Sequence, residues 1–222
     1  MLDLAGGQVV RGVRGERAAY RPIVSRLAAG SDPVAIAATL LATPGRPLYV
    51  ADLDAIQGGA PQLESLRRLL ALDVELWLDA GLPDPAAAAA LLRELGGDAG
   101  RVRLVYGSES LVAGSAIEGL AGDPRAILSL DCRLKRPLDP AGLWSRPATW
   151  PRTVIAMTLD RVGAAAGPDL ATLARLRALA PDRAWVGAGG VRDAADLRAA
   201  ASTGAAAWLV ASALHDGTLA LE

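Results

Sequence analysis

The feature that most constrains this chain is a rhythm of short apolar runs, each closed by small or acidic residues and followed by a stretch of helical periodicity. Leu48–Asp52 (LYVAD), Val74–Leu78 (VELWL), Val102–Tyr106 and Ala126–Leu130 are four such runs. TVIAMT from Thr153, AWVGA from Ala184 and AAAWLV from Ala205 are three more, and Met1–Leu4 reads as the end of a shortened first strand. Continuous apolar runs that alternate with helices predict parallel strands covered on their outer face. Eight such units in 222 residues predict a closed (β/α)8 TIM barrel, one domain over residues 1–222, rather than an open doubly wound sheet.

An internal repeat supports the barrel. Asp52 to Gly81 has the same spacing as Asp160 to Gly189. DAGLPDPAAAAALL from Asp79 aligns with GAGGVRDAADLRAA from Gly187, and VYGSESL from Val105 with LVASAL from Leu209. The chain reads as two half-barrels joined end to end.

Helix starts are legible locally. Asp32-Pro33 and Asp84-Pro85 each place an N-cap carboxylate before a proline in the first turn, opening helices through Leu41 and to about Leu95. Pro61–Leu72 is a third helix, and another follows Gly107-Ser108. Between Asp131 and Thr153, Pro137, Pro140, Pro147 and Pro151 with Trp144 and Trp150 leave room for a turn or two at most. The fifth barrel helix is therefore expected to be short or absent.

The last third carries the chemistry. Two neighbouring strands end in Gly187-Ala188-Gly189-Gly190 and Val210-Ala211-Ser212, each before a helix. Small residues let backbone N–H groups approach an anion, and helix N-termini add partial positive charge. Gly189, Gly190, Ala211 and Ser212 are thus the expected phosphate cradle, although the same residues could form no more than tight turns. Gly81, Gly107 and Ser108 occupy the matching places in the first half.

Composition excludes several classes. A net charge of −1 offers no basic field for nucleic acid. A single cysteine, Cys132, excludes an internal disulfide and a cysteine zinc cluster and fits a reducing compartment. No apolar run reaches a membrane span, and the N-terminus lacks a signal-peptide pattern. The chain reads as a cytoplasmic protein with no membrane or nucleic-acid partner, no metal and no cofactor.

LDLAGGQVVRGVRGE, LYVADLDAIQGG, VYGSESL, ILSLDCR, GAGGV and LVASAL, in this order and at strand ends, resemble the half-barrel-duplicated enzymes of histidine biosynthesis. The match is closest to the ProFAR (phosphoribosylformimino-aminoimidazole-carboxamide ribotide) isomerases, and together the pieces touch nearly the whole chain. The resemblance implies an Amadori rearrangement of a phosphorylated aminoaldose. Its catalytic aspartates would be Asp3 after strand one and Asp131 after strand five, with Thr158 after strand six, and it implies a phosphate site at each end of the substrate. Two carboxyls can serve as acid and base if their environments separate their pKa values.

The sequence departs from that pattern. A Gly-Gly-Gly run normally follows strand three, and here Asp79-Ala80-Gly81 stands there, setting a carboxylate where a phosphate would lie. LDRVGAAAGPD after strand six lacks the usual Asp-Gly. These changes point to a paralogue with a smaller or differently charged substrate. Asp52 and Asp160, also at strand ends, read as substrate contacts or as helix caps and ion-pair partners. Arg11, Arg14, Arg17 and Arg21 form a solvated loop or a lid that neutralises a distal phosphate. His215 reads as a surface helix residue, Cys132 as buried packing, and Trp144 as a base-stacking or packing side chain.

Two other readings stay open at this level. One is a lyase or synthase on a small phosphorylated substrate, as in one-carbon coenzyme biosynthesis, needing a single phosphate site. The other is a non-catalytic barrel whose shortened strand and missing helix expose apolar edges to a partner or a homodimer.

Overall fold

The computed structural model describes residues 1–43, 45–112 and 118–220. Eight parallel strands follow one another in chain order: β1 (Leu2–Ala5), β2 (Leu48–Asp52), β3 (Leu76–Asp79), β4 (Val102–Gly107), β5 (Ala126–Arg133), β6 (Thr153–Thr158), β7 (Ala184–Ala188) and β8 (Ala207–Leu209). The sheet curls until β1 and β8 face one another across a seam. No ladder joins those two strands among the described residues; the amine of Met1 donates to the carbonyl of Val210 across the gap at 2.9 Å. At its lower end the seam widens into a cavity of about 750 Å³ lined by Leu48, Tyr49, Trp77, Trp208 and Leu209. Trp208 and Leu209 are therefore only half-buried.

Alternation along the strands creates two cores. Leu2, Leu4, Val50, Leu76, Leu78, Leu104, Leu128, Leu130 and Val154 point outward under the helices. Tyr49, Ala51, Trp77, Val105, Ile127, Ile155, Met157 and Val186 point into the barrel. Asp3, Asp79 and Asp131 share the inward parity: Asp3 pairs with Ala51 and Ala51 with Asp79, while Asp131 pairs with Met157. The register alone brings three carboxyls into the lumen.

The outer layer holds α1 (Pro33–Leu40), α2 (Leu63–Leu70), α3 (Pro85–Leu95), α4 (Leu170–Leu179), α5 (Ala194–Ser202) and the one-turn α6 (Ser212–His215). Asp32 caps α1 through the amides of Val34 and Ala35, and Asp84 caps α3 through Ala87, as their Asp-Pro signals predict. The helix expected after Gly107-Ser108 falls partly on residues 113–117, outside the described residues; the neighbouring described segment holds a single 3-10 turn, Leu120–Gly122. After β5 the chain forms a short hairpin with Arg136–Pro137 and two 3-10 turns, and no α-helix. Trp150 fills that place. It is fully buried, sits edge-on to Trp185 with ring centres 5.6 Å apart, and donates from Nε1 to the carbonyl of Leu143 at 2.8 Å.

The sequence pattern did not reveal an antiparallel arm, Gln8–Val10, that folds back on β1. Gly6 and Gly7 make its two-residue turn with φ of 54° and 77°, values that side-chain-bearing residues resist. The turn reaches the segment after β2 through its amides, Gly6 to Asp54 at 3.0 Å and Gly7 to Gln62 at 2.6 Å.

Candidate active site

The carboxyl ends of the strands enclose a narrow cavity lined by Asp3, Arg17, Tyr20, Tyr49, Asp79, Glu109 and Asp131. Asp3 and Asp131, from the first strand of each half, thus meet in one chamber. Asp131 is 5% exposed. Its Oδ1 accepts from the Ser129 hydroxyl at 2.7 Å and its Oδ2 from the Glu109 amide at 3.4 Å. Burial pushes the Asp131 carboxyl up to about 8, against the pull of the Ser129 hydroxyl, and Asp79 and Glu109 add to the rise. Burial also pushes Asp3 up, to about 6, while the amine of Met1 pulls it back. The two carboxyls thus differ in proton affinity, Asp131 holding its proton to higher pH than Asp3.

Asp79 stands beside them. Burial raises it to about 6, opposed by the Gly81 amide, which donates to Asp79 Oδ1 at 3.1 Å. The Tyr49 hydroxyl donates to Asp79 Oδ2 at 3.2 Å, and burial holds the phenol well above its usual range.

The loop after the N-terminal arm crosses this chamber. Arg17 pairs with Glu109, the Arg14 amide donates to Val162 O at 2.8 Å, and Gly12 lies against the turn after β6. A Cβ at Gly163 would stand 1.9 Å from the carbonyl of Gly12, so only glycine permits the approach. The segment lies over the chamber. Arg11, at its start, pairs with Asp216.

Beside the chamber, the loops after β6, β7 and β8 surround a second cavity of about 180 Å³, lined by Arg11, Arg161, Gly189, Gly190, Arg192, Ala211 and Ser212. That is several times the roughly 30 Å³ that a water occupies. The amides of Ser212 and Ala213, at the start of α6, have no acceptor within their own helix. Gly189 and Gly190 adopt φ of 86° and 88°. Gly190 is also a packing glycine, since a Cβ there would meet the Gly167 carbonyl at 2.1 Å.

Other sequence-selected residues lie apart from the chamber. The Thr158 hydroxyl, on the outward parity of β6, donates to Asp169 Oδ2 at 3.1 Å rather than facing Asp3 and Asp131. Asp52 is wholly buried and accepts from the amides of Ala55 at 3.2 Å and Gln62 at 2.7 Å, a capping role. Asp160 accepts from the amide of Leu134, anchoring the hairpin turn after β5. Ser108 accepts from the Asp131 amide at 2.8 Å and donates to Leu138 O at 2.8 Å, which ties β4 to the loop after β5.

His215 is not a surface residue. It is 2% exposed, its Nδ1 meets the Ser25 hydroxyl at 2.9 Å, and burial with the nearby Met1 amine lowers it to about 4. Its own position in the last helix gave no sign of this, because the covering segment around Ser25 comes from far upstream. Cys132 is buried, as its neighbourhood predicts. Trp144 packs partly buried against the outer core beneath the Arg175 guanidinium, 5.5 Å from its ring centre. Tyr49, Glu109 and Ser129 were not picked out from the sequence. Ser129 lies two residues before Asp131 on the same strand face, a signal that strand parity contains.

Among the described residues no helix is long and apolar enough to cross a membrane, and no group of three or more His, Cys, Asp and Glu side chains is arranged to hold a metal ion. The family model described as histidine biosynthesis protein matches residues 1–142 and 149–220. A protein of Xanthomonas euvesicatoria pv. vesicatoria (strain 85-10) is 30% identical over all of this chain and 95% of its own length. One from Xylella fastidiosa (strain M23) is 30% identical over all of this chain and 86% of its own, and one from Xanthomonas campestris pv. campestris (strain B100) is 29% identical over all of this chain and 95% of its own. Each of the three is named 1-(5-phosphoribosyl)-5-((5-phosphoribosylamino)methylideneamino) imidazole-4-carboxamide isomerase.

Proposed function

The chain belongs to the histidine biosynthesis protein family, and on that premise we propose that it is an isomerase that rearranges a phosphorylated aminoaldose to the aminoketose with an aspartate acid–base pair. The observation that carries this is the meeting of Asp3 and Asp131 in one buried chamber with unequal proton affinities.

Asp131, holding its proton, donates to the ring oxygen as the bond from that oxygen to C1 breaks and the nitrogen lone pair forms the C=N bond, leaving an open, protonated imine. Asp3, ionised, removes the proton from C2. The electron pair of that C–H bond forms an enaminol between C1 and C2. Asp3 returns its proton to C1 and the C2 hydroxyl proton passes to Asp131, giving the ketone. The net change moves the C2 hydrogen to C1 and the C2 hydroxyl proton to the ring oxygen, with both carboxyls restored and no co-reactant needed. Groups of separated pKa are suited to these opposite tasks. The cavity at Gly189, Gly190, Ala211 and Ser212 receives the phosphate, and the lid carrying Arg17 excludes water when closed.

The test is turnover of ProFAR by the purified protein, followed by absorbance, with Asp131→Asn as control. Turnover that is lost in the variant supports the reaction. Equal rates in both proteins would remove the pair from the mechanism.

A further inference from the structure

The two halves of the repeat provide an internal comparison. In the second half the strand-end cup at Gly189 and Ser212 opens onto a cavity lined by Arg11, Arg161 and Arg192. In the first half the matching cup is filled from within. The Gly81 amide donates to Asp79 Oδ1 at 3.1 Å, the Ser108 amide to Ser129 O at 2.8 Å and the Glu109 amide to Asp131 Oδ2 at 3.4 Å. These three amides are engaged, two of them by the protein's own carboxylates.

The acidic side chains also converge on one point. A Cβ at Gly107 would lie 3.2 Å from Asp131 Oδ2, 3.8 Å from Glu109 Cγ and 3.9 Å from Asp79 Oδ2. The Asp3 carboxyl lines the same chamber and accepts no hydrogen bond from the described residues. Arg17, the cation at this end, is held by Glu109. The two ends of the mouth thus differ: Arg11, Arg161 and Arg192 stand with Asp216 around the glycine corners, while Asp79, Glu109 and Asp131 stand around Arg17 at the other.

The molecule named for the relatives bears two phosphoribosyl groups, and so two phosphates. A phosphate against Asp79 and Glu109 would meet like charge in a buried site, where the Gly81 and Glu109 amides are already engaged. We infer that this chain's substrate carries a phosphate at one end only, and that its other end, received by Asp79 and Glu109, is a group rich in O–H or N–H donors and free of anionic charge. Carboxylates accept from such groups and leave their own buried oxygens satisfied. The inference rests on the isomerase reading above and narrows its substrate.

The experiment compares binding of ProFAR with its two analogues lacking one or the other phosphate, by calorimetry on the whole protein. At least one monophosphate analogue should bind about tenfold or more tighter than ProFAR, the direction that like-charge repulsion demands. Asp79→Gly frees the Gly81 amide and removes the carboxylate, so it should tighten ProFAR, weaken the monophosphate analogue that Asp79 receives, and thereby erase most of that gap. Asp79→Asn, which keeps the side-chain shape, should erase part of it and guards against a glycine variant that fails to fold. ProFAR binding as tightly as either analogue, with the ratio unchanged in both variants, overturns this inference and leaves the isomerase reading standing. No binding of any of the three overturns the isomerase reading and this inference together.

Discussion

Ser129 and Asp131 lie two residues apart on one face of β5, and the Ser129 hydroxyl donates to Asp131 Oδ1 at 2.7 Å. This bond opposes the burial that drives the carboxyl up to about 8. Removing the donor with Ser129→Ala should raise Asp131 further, because a hydrogen bond to the charged form favours ionisation. The profile of kcat/KM against pH should be bell-shaped, rising as Asp3 ionises near 6 and falling as Asp131 loses its proton near 8. In Ser129→Ala the alkaline limb should move to higher pH and the acid limb stay in place. An alkaline limb that does not move would show that it belongs to another group.

The acid–base pair should be visible in rate. Asp3→Asn and Asp131→Asn should each lower turnover by roughly 10²–10⁴, the usual range for loss of a general acid or base. Thr158→Val, by contrast, should act chiefly on stability, since its hydroxyl serves the Asp169 cap of α4. A loss of similar size in Thr158→Val with an unchanged melting temperature would place the hydroxyl in the chemistry instead.

The buried carboxyls make stability fall with rising pH. Asp131 binds its proton more tightly folded, near 8, than unfolded, near 3.8. Its favourable contribution is therefore complete below about 4 and lost as pH rises through 8, because the native state holds the extra proton between those values. The Met1 amine, lowered to about 6, works in the opposite direction between 6 and 8. Comparing the melting temperature of the wild type with that of Asp131→Asn isolates the first effect. The variant should gain on the wild type steadily from pH 4 to pH 8, and a constant difference would contradict the assignment.

Inorganic phosphate should raise the melting temperature, and Ser212→Asp should abolish the rise by placing a charge in the cavity. A hundredfold excess of ligand over its Kd corresponds to about 2.7 kcal/mol. Gly190→Asp is a poorer probe, because any Cβ there collides with the Gly167 carbonyl. A rise that persists in Ser212→Asp would move the anion elsewhere.

Trp150→Ala should cost about 3–5 kcal/mol, the range for deleting a large buried aromatic. Trp150 covers the stretch of barrel wall that the missing helix would shield. Chemical denaturation measures this directly, and a cost below about 1 kcal/mol would mean that the wall is closed by other contacts.

Much of the frame was legible because it depends on local rules. Asp32-Pro33 and Asp84-Pro85 start helices where a side-chain acceptor and a preset φ require it, and the four prolines after Asp131 forbid the fifth helix. Asp3 and Asp131 were singled out by the resemblance to the histidine-biosynthesis enzymes, and their matching strand-end places in the two halves supported it. What stayed hidden depends on contacts between distant segments. Thr158 lies one residue out of phase with the lumen, and its partner Asp169 comes from the next helix. His215 is buried by a segment about 190 residues earlier in the chain. Glu109 gains its meaning only when the lid delivers Arg17 to it.

The seam between β1 and β8 has a mechanical consequence. Seven strand-to-strand ladders hold the wall together, while the eighth junction is bridged by the Met1 amine on Val210. The wall is a clasped bracelet rather than a hoop. Thermal breathing should start at the clasp, and the amides of the half-covered β8 should exchange with solvent deuterium sooner than those of β5 and β6, deep in the opposite wall.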